Sequence, residues 1–331
     1  SIDSFKASVV IPVYNAAPYV RQAVESALAQ PEVREVLLVE DGSPDNALEV
    51  CQQLAAQYPQ VVLLRHPNGE NRGAGASRNL AMKNARCEYI AFLDADDYFL
   101  ANRFGLDAQI FARDPHSEGV YHAVEMHVED EDGLNRWRIA GKAPNQMQTV
   151  TCEIPPENLA EALLVGGSGY FILDALTIKK SVLEKAGFMR EELRLHQDTE
   201  WILRVAMSAR LLPGNLKGPV ARWRVHAHNR ISAPRSPVQK LDGRLAMYEC
   251  LHSWCRKHAR QYQKHLMPLM IENVISSARF SKENPKPFQR KLLRVTNLLR
   301  FLASQPCMIV DRNFWQALPG QINIAQKGKE S

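Results

Sequence analysis

The first hundred residues alternate between two hydrophobic periods, and that alternation narrows the possible folds more than any other feature of the chain. Lys6 to Val13 is a nearly continuous apolar run rich in β-branched residues, as a strand buried on both faces requires. Tyr14-Asn15 ends it, and Val20, Ala23, Val24, Ala27 and Leu28 then recur at helical spacing up to Pro31. Glu35 to Val39 reads as a second strand, closed by Asp41-Gly42-Ser43-Pro44-Asp45. Ala47, Leu48, Cys51, Leu54 and Ala55 mark the helix behind it. Val61 to Leu64 is a third strand. A loop around Gly73 and Gly75 leads to a helix over 76–85, and Tyr89 to Leu93 is a fourth strand. Strand–helix repetition with short connections predicts an α/β fold, a mostly parallel doubly wound sheet flanked by helices.

Beyond residue 100 the pattern loosens. Gly119 to Val128 alternates like one strand, and Asp130-Glu131-Asp132-Gly133 followed by Trp137 predicts a hairpin turn into its partner. Helices are expected over 156–164, 180–186 and 199–209. From Pro237 the pattern is almost wholly helical, interrupted near Pro285 and Pro287. These shifts divide the chain at 1–100, 101–235 and 236–331.

Charge is distributed unevenly along the 331 residues. Residues 1–221 carry 21 Lys+Arg against 30 Asp+Glu, whereas 222–331 carry 20 against 6. So basic a C-terminal third suits an anionic partner (nucleic acid, an acidic membrane surface or a phosphorylated substrate) or else a solvated helical surface. No apolar stretch reaches the roughly eighteen residues of a membrane span, and Ser1 to Lys6 lack a signal-peptide pattern. Six scattered cysteines without a CxxC read as reduced thiols of a cytosolic protein.

In a parallel sheet, ligands bind beyond the carboxyl ends of the strands, and the polar clusters fall there. Pro12-Val13-Tyr14-Asn15 follows the first strand, Glu40-Asp41-Gly42-Ser43 the second, and Asp94-Ala95-Asp96-Asp97 the fourth. Asn71 to Asn79, which includes Arg78, precedes the helix feeding the fourth. An isolated turn such as Asp41-Gly42-Ser43 is ordinarily helix capping, with Ser43 or Asp45 accepting backbone N–H bonds. Carboxylates at i and i+2 just after a buried strand, by contrast, repel one another unless a cation or donors stand between them. Such hard oxygen ligands suit Mg2+ or Mn2+ bound together with substrate phosphates. The first turn has no GxGxxG and the chain has no GxxxxGK[ST], which argues against an NAD enzyme and a P-loop NTPase.

The ordered set Val9-Val-Ile-Pro-Val-Tyr-Asn15, Glu40-Asp41-Gly42-Ser43-x-Asp45, Asn71-x-Gly73 with Ala76-x-Arg78-Asn79, Tyr89 to Asp97, and His196-Gln197-Asp198-x-Glu200-Trp201 resembles the family 2 glycosyltransferases of GT-A fold. The resemblance is dense over 6–110, thinner to about 232 and absent thereafter. It implies that 1–100 is the nucleotide-sugar-binding half of a GT-A domain, 101–235 its acceptor-binding and catalytic-base half, and 236–331 a basic helical extension. It implies nucleotide-sugar contacts at Pro12, Tyr14, Glu40, Asp41 and Arg78, with Asp41 on the base and Asp94 near the ribose. Asp96 then meets the metal, and Asp198 is the catalytic base. Two positions depart from the family pattern: Glu40 replaces the usual Asp, and Gln197 replaces the usual Glu.

Arg222-Trp223-Arg224-Val225-His226-Ala227-His228-Asn229-Arg230 is the remaining cluster. As a strand it would set Arg and His on one face and Trp223 and Val225 on the other. His226 is expected as a third metal ligand or diphosphate contact, with His228 as its substitute. Trp201 is expected to pack in the core.

The function expected is inverting, Mn2+- or Mg2+-dependent transfer of a sugar, UDP-linked by family tendency, to a glycan or lipid-linked acceptor in bacterial surface polysaccharide or lipopolysaccharide synthesis. The alternatives are a sugar-1-phosphate nucleotidyltransferase, which should carry a Gly-rich basic loop where Asn15-Ala16-Ala17-Pro18 stands, and a non-catalytic sugar-nucleotide-binding protein. No nucleic acid partner is expected, and the cytoplasm is the expected location. In the last third, Phe288, Leu292, Val295, Leu298, Leu299 and Leu302 form a helical stripe beside Arg290, Lys291, Arg294 and Arg300. That stripe reads as a packing or oligomer face, or as an amphipathic face for an anionic membrane over 279–300.

Overall fold

The computed structural model describes residues 4–129, 131, 134–135, 138, 146–226, 236–277 and 287–327. They divide into two compact units, residues 1–192 with 201–233, and residues 193–200 with 234–331.

The first unit is built on β1 (Ala7–Val13), β2 (Val33–Glu40), β3 (Val61–Arg65) and β4 (Tyr89–Phe92), which run parallel in the order β4-β1-β2-β3. Val9, Val10, Ile11, Val36, Leu38 and Val39 are fully buried, which is why these strands read as unbroken apolar runs. The helices Val20–Leu28, Ala47–Gln57 and Ala74–Asn84 connect them, as the periodicity predicts. Glu35, an acid within β2, is fully bonded. Its carboxylate accepts from Ser8 Oγ (2.6 Å) and from the Arg86 N–H and Nε (both 2.7 Å). Burial pushes its pKa up, but those bonds and the Arg86 charge more than offset this and hold it below the ordinary value.

The sheet is mostly parallel, as the sequence predicts, with a single reversed strand: β9 (Leu176–Lys179) runs antiparallel between β4 and β6 (Gly119–Tyr121), and β10 (Leu211–Pro213) closes the far edge parallel to β6. One feature corrects the sequence expectation. The expected single strand over 119–128 is two, β6 and β7 (Ala123–Val128), parted at His122 and belonging to different sheets. The cause is the His122 ring, buried between two elements. Its Nε2 meets Asp107 of the helix Gly105–Arg113, and its Nδ1 accepts the Asn215 N–H at 2.8 Å. Meanwhile the His122 N–H is taken by Ala175 O. The second sheet has the order β5 (Tyr98–Phe99), β11 (Pro219–Val225), β7, β8 (Met147–Gln148). β8 is the described antiparallel partner of β7. The expected turn at 130–133 and Trp137 lie outside the described residues, apart from Glu131.

The second unit contains the helices Pro237–His258, Gln263–Ser277, Pro287–Ser304 and Arg312–Lys327. Ser236 opens the first of these with a reciprocal cap to Gln239. Met267, Met270, Ile271, Val274, Ile275, Phe301, Met308 and Phe314 make its core. No helix among the described residues is long and apolar enough to cross a membrane. The six cysteines are free thiols.

Candidate active site

The carboxyl ends of β1, β2 and β4 carry the polar clusters that the sequence singles out. After β1, Asn15 takes a left-handed conformation (φ 54°), and its N–H donates to Ser43 Oγ at 3.1 Å. Asp45 accepts from the Ala17 N–H (2.9 Å) and caps the next helix through the Ala47 N–H (3.1 Å). Ser43 and Asp45 are thus bracing residues, in line with the capping reading. Tyr14 stands exposed and Pro12 half-buried at this corner.

After β2 the two acids have different work. Glu40 is buried, accepts the Ser43 N–H (2.6 Å) and pairs with Arg65 Nε (2.9 Å). Its longer side chain therefore reaches its own turn and the end of β3. Asp41 holds the loop at 71–73: its two oxygens accept the Arg72 and Gly73 N–H groups at 2.8 and 2.9 Å, and Asn71 Nδ2 donates to its carbonyl. Gly42 follows Asp41 at φ +67°, where an added Cβ would lie 2.8 Å from Gly69 O.

After β4, Asp94, Asp96 and Asp97 each direct a carboxylate oxygen into a space within which these atoms lie no more than 4.8 Å apart. Arg78, buried on the helix Ala74–Asn84, pairs with Asp94 Oδ1 at 2.5 Å. The His226 Nε2 lies 3.1 Å from Asp96 Oδ2, with its ring 4.6 Å from that of Tyr19. Both predicted metal ligands are therefore neighbours, although 130 residues separate them in sequence. His228 and Arg230 lie outside the described residues.

Two residues that hold this loop had no such role assigned from the sequence: Arg224, named there only within its cluster, and Asp174. Arg224 donates from its backbone N–H to Asp97 Oδ1 (2.8 Å) and from Nε to Asp96 O (2.7 Å). Its guanidinium lies over the Tyr19 and Tyr98 rings at 4.8 and 5.2 Å and pairs with Glu129. Asp174, fully buried, accepts the Asp94 N–H at 3.1 Å and faces Asp97. Burial first, and then the surrounding acids, raise the pKa of both Asp97 and Asp174. The detectable signal was a lone acid within the apolar stretch Phe171 to Leu176.

Four acids thus meet Arg78, Arg224 and His226 at one strand end. Hard carboxylate oxygens with an imidazole alongside make a donor set that fits Mg2+ or Mn2+. Trp201 is buried edge-on to Phe92, its Nε1 donating to Gly187 O, so it is a core residue as expected.

Asp198 belongs to the second unit. It lies in the first turn of the helix Gln197–Ser208, half-buried, with Oδ1 accepting the Thr199 N–H at 2.8 Å. Gln197 donates its amide to Leu193 O, and Glu200 is fully buried.

A model of the glycosyl transferase family 2 matches residues 8–150. An uncharacterized glycosyltransferase of Bacillus subtilis, EpsJ, is 34% identical over 308 residues, covering 87% of this chain and 82% of that protein. The chain spans only 26% to 36% of the length of three further curated glycosyltransferase relatives. Among solved structures, S. aureus TarS 1-349 in complex with UDP-GlcNAc superposes with a TM-score of 0.61 at 18% identity, over 90% of this chain and 80% of that one. A Pyrobaculum calidifontis mannosyltransferase in complex with GDP-Man and Mn2+ gives 0.50 at 16% identity, over 96% and 84%. These structures share the GT-A architecture described above. With the strand-end motifs in place and a relative matching along most of both lengths, the chain belongs to glycosyltransferase family 2.

Proposed function

We propose that the protein transfers a sugar from a UDP-sugar to a glycan or lipid-linked acceptor, with inversion, on the cytoplasmic side and in bacterial surface polysaccharide or lipopolysaccharide assembly. The observation that carries this reading is the carboxylate cluster Asp94, Asp96 and Asp97 at the end of β4, flanked by Arg78 and His226. A cluster of acids with so few cations suits a site completed by a divalent ion and a diphosphate. Asp96, with His226 beside it, would hold Mg2+ or Mn2+, which when bound supplies Lewis-acid stabilisation of the leaving diphosphate.

The chain's own groups do the rest. Tyr14, Pro12 and Asp41 receive the base. Asp41 suits this because each of its oxygens keeps a lone pair beyond the loop N–H that it accepts. Glu40 contributes indirectly, by fixing the turn that carries Asp41. Asp94, oriented by Arg78, meets the ribose. Asp198 takes the acceptor hydroxyl proton as that oxygen attacks the anomeric carbon and the carbon–phosphate oxygen bond breaks. One base, with no second nucleophile assigned among the described residues, makes a single displacement, which inverts the anomeric centre.

The test is UDP release from a panel of UDP-sugars, with and without Mn2+, for the wild type and Asp96→Asn. Release from at least one donor in the wild type, lost in Asp96→Asn and in EDTA, is expected. Undiminished turnover by Asp96→Asn in EDTA would refute the metal-assisted mechanism.

A further inference from the structure

The helix Pro287–Ser304 divides its apolar residues between two faces. Leu298, Phe301 and Leu302 turn inward against the core of the second unit. Leu292, Val295 and Leu299 do not: they are 57%, 50% and 61% exposed. At i, i+3 and i+7 they lie one above another on one face, two turns long. Past the end of this helix, Ile309, Val310 and Trp315 are exposed as well. Trp315 is not loose, because its Nε1 donates to Ile309 O at 2.7 Å and its ring stands edge-on to Phe314. Six of the eleven exposed large apolar side chains of the described residues thus fall within 292–315. That is a concentration, whereas singly scattered apolar residues need no explanation.

The charge around the stripe says what can cover it. Between Glu283 and Asp311 there is no acidic residue, while Lys286, Arg290, Lys291, Arg294 and Arg300 fall there. Arg290 and Arg300 are exposed on the same helix as the stripe. A second copy of this chain seated about a two-fold axis would set one such cationic helix against another, with no carboxylate on either to meet it. A surface that is apolar below and anionic above has the opposite character. It accepts Leu, Val and Trp at the headgroup–acyl boundary and pairs Arg with lipid phosphates.

We propose that the exposed stripe Leu292–Val295–Leu299, on a helix that also exposes Arg290 and Arg300, docks the protein flat on an anionic lipid bilayer without insertion of a spanning segment. The docking element begins at residue 287, since 279–286 lies outside the described residues. This proposal does not depend on the transferase reading and can fail or stand without it.

The experiment is co-sedimentation of the full chain with vesicles of phosphatidylcholine alone and of phosphatidylcholine with phosphatidylglycerol, at low and high NaCl. Binding to the anionic vesicles only, about tenfold or more weaker at high salt, is the expected result. Leu299→Asp should reduce that binding about tenfold or more with an unchanged unfolding midpoint, since the side chain is exposed. Arg290→Gln with Arg300→Gln should both weaken it and flatten the salt dependence. Failure to bind anionic vesicles at low salt overturns the proposal, as does binding that survives Leu299→Asp. Concentration-dependent dimerisation abolished by Leu299→Asp, without vesicle binding, would overturn it in favour of a second copy.

Discussion

Replacing Asp107 by Asn should cost the first unit about 3–5 kcal/mol, because three donors converge on that carboxylate in a fully buried place. Arg103 donates from its Nη1 at 3.0 Å, Thr177 from Oγ1 at 2.7 Å, and His122 from Nε2. The His122 tautomer is fixed by Asn215, whose N–H donates to Nδ1, so the remaining ring proton points at Asp107. Arg103, Asp107 and His122 side chains have no exposure at all. An amide at this position presents one NH2 to neighbours that are all donors, and it leaves the Arg103 guanidinium without a counter-charge. Burial alone would raise the Asp107 pKa, but the Arg103 charge and the hydrogen bonds from His122 and Thr177 outweigh it and hold it below the ordinary carboxylate value. The stabilisation therefore stands above the unfolded-state pKa and disappears as pH falls through the lower folded value. Urea unfolding followed by circular dichroism would measure this. Asp107→Asn should differ most from the wild type near pH 7, and the gap should shrink below about pH 4. Arg103→Met combined with Asp107→Leu should recover at least half the loss, since an apolar replacement of both partners removes the orphaned charge. A loss below about 1 kcal/mol for Asp107→Asn, or a double variant no better than the single one, would refute the reasoning.

Asp198→Asn keeps size and hydrogen bonding but cannot take a proton, so kcat should fall about 10²–10⁴-fold while donor affinity measured by calorimetry persists. Arg78→Ala frees Asp94 from its 2.5 Å partner, and the donor KM should rise roughly tenfold with a smaller change in kcat. Gly42→Ala meets both a φ of +67° and a 2.8 Å approach to Gly69 O. It should lower stability by about 1–3 kcal/mol in thermal unfolding.

The parallel strands were legible because strands buried on both faces leave long apolar runs, and polar residues at the ends of such runs stand out. Periodicity carries no direction, so the antiparallel insertion of β9 could not be read from it. The parting of β6 from β7 was equally hidden. It depends on what His122 finds on the helix Gly105–Arg113 and at Asn215, and nothing within 119–128 announces either. The same holds for Glu40, whose reach to Arg65 is a tertiary fact. Asp174 could have been found as an unpaired acid in an apolar stretch. The stripe on Pro287–Ser304 shows a different limit: two overlapping sets of apolar residues share one helical period, and the sequence does not say which set faces inward.

The contacts of Arg224 and His226 with the loop after β4 close loops of 128 and 130 residues. Closure of so long a loop carries an entropy that local pairing cannot offset, so such contacts form late. During synthesis, the first four strands and the acidic loop leave the ribosome well before residue 224 exists. A nascent or truncated chain ending near residue 150 would therefore carry Asp94, Asp96 and Asp97 without Arg224, His226 or Asp174. Three carboxylates would stand together with only Arg78 to balance them. Fragments cut to the boundaries of the strongest sequence similarity should accordingly fold poorly around this loop, and expression of this site calls for a chain that extends past His226.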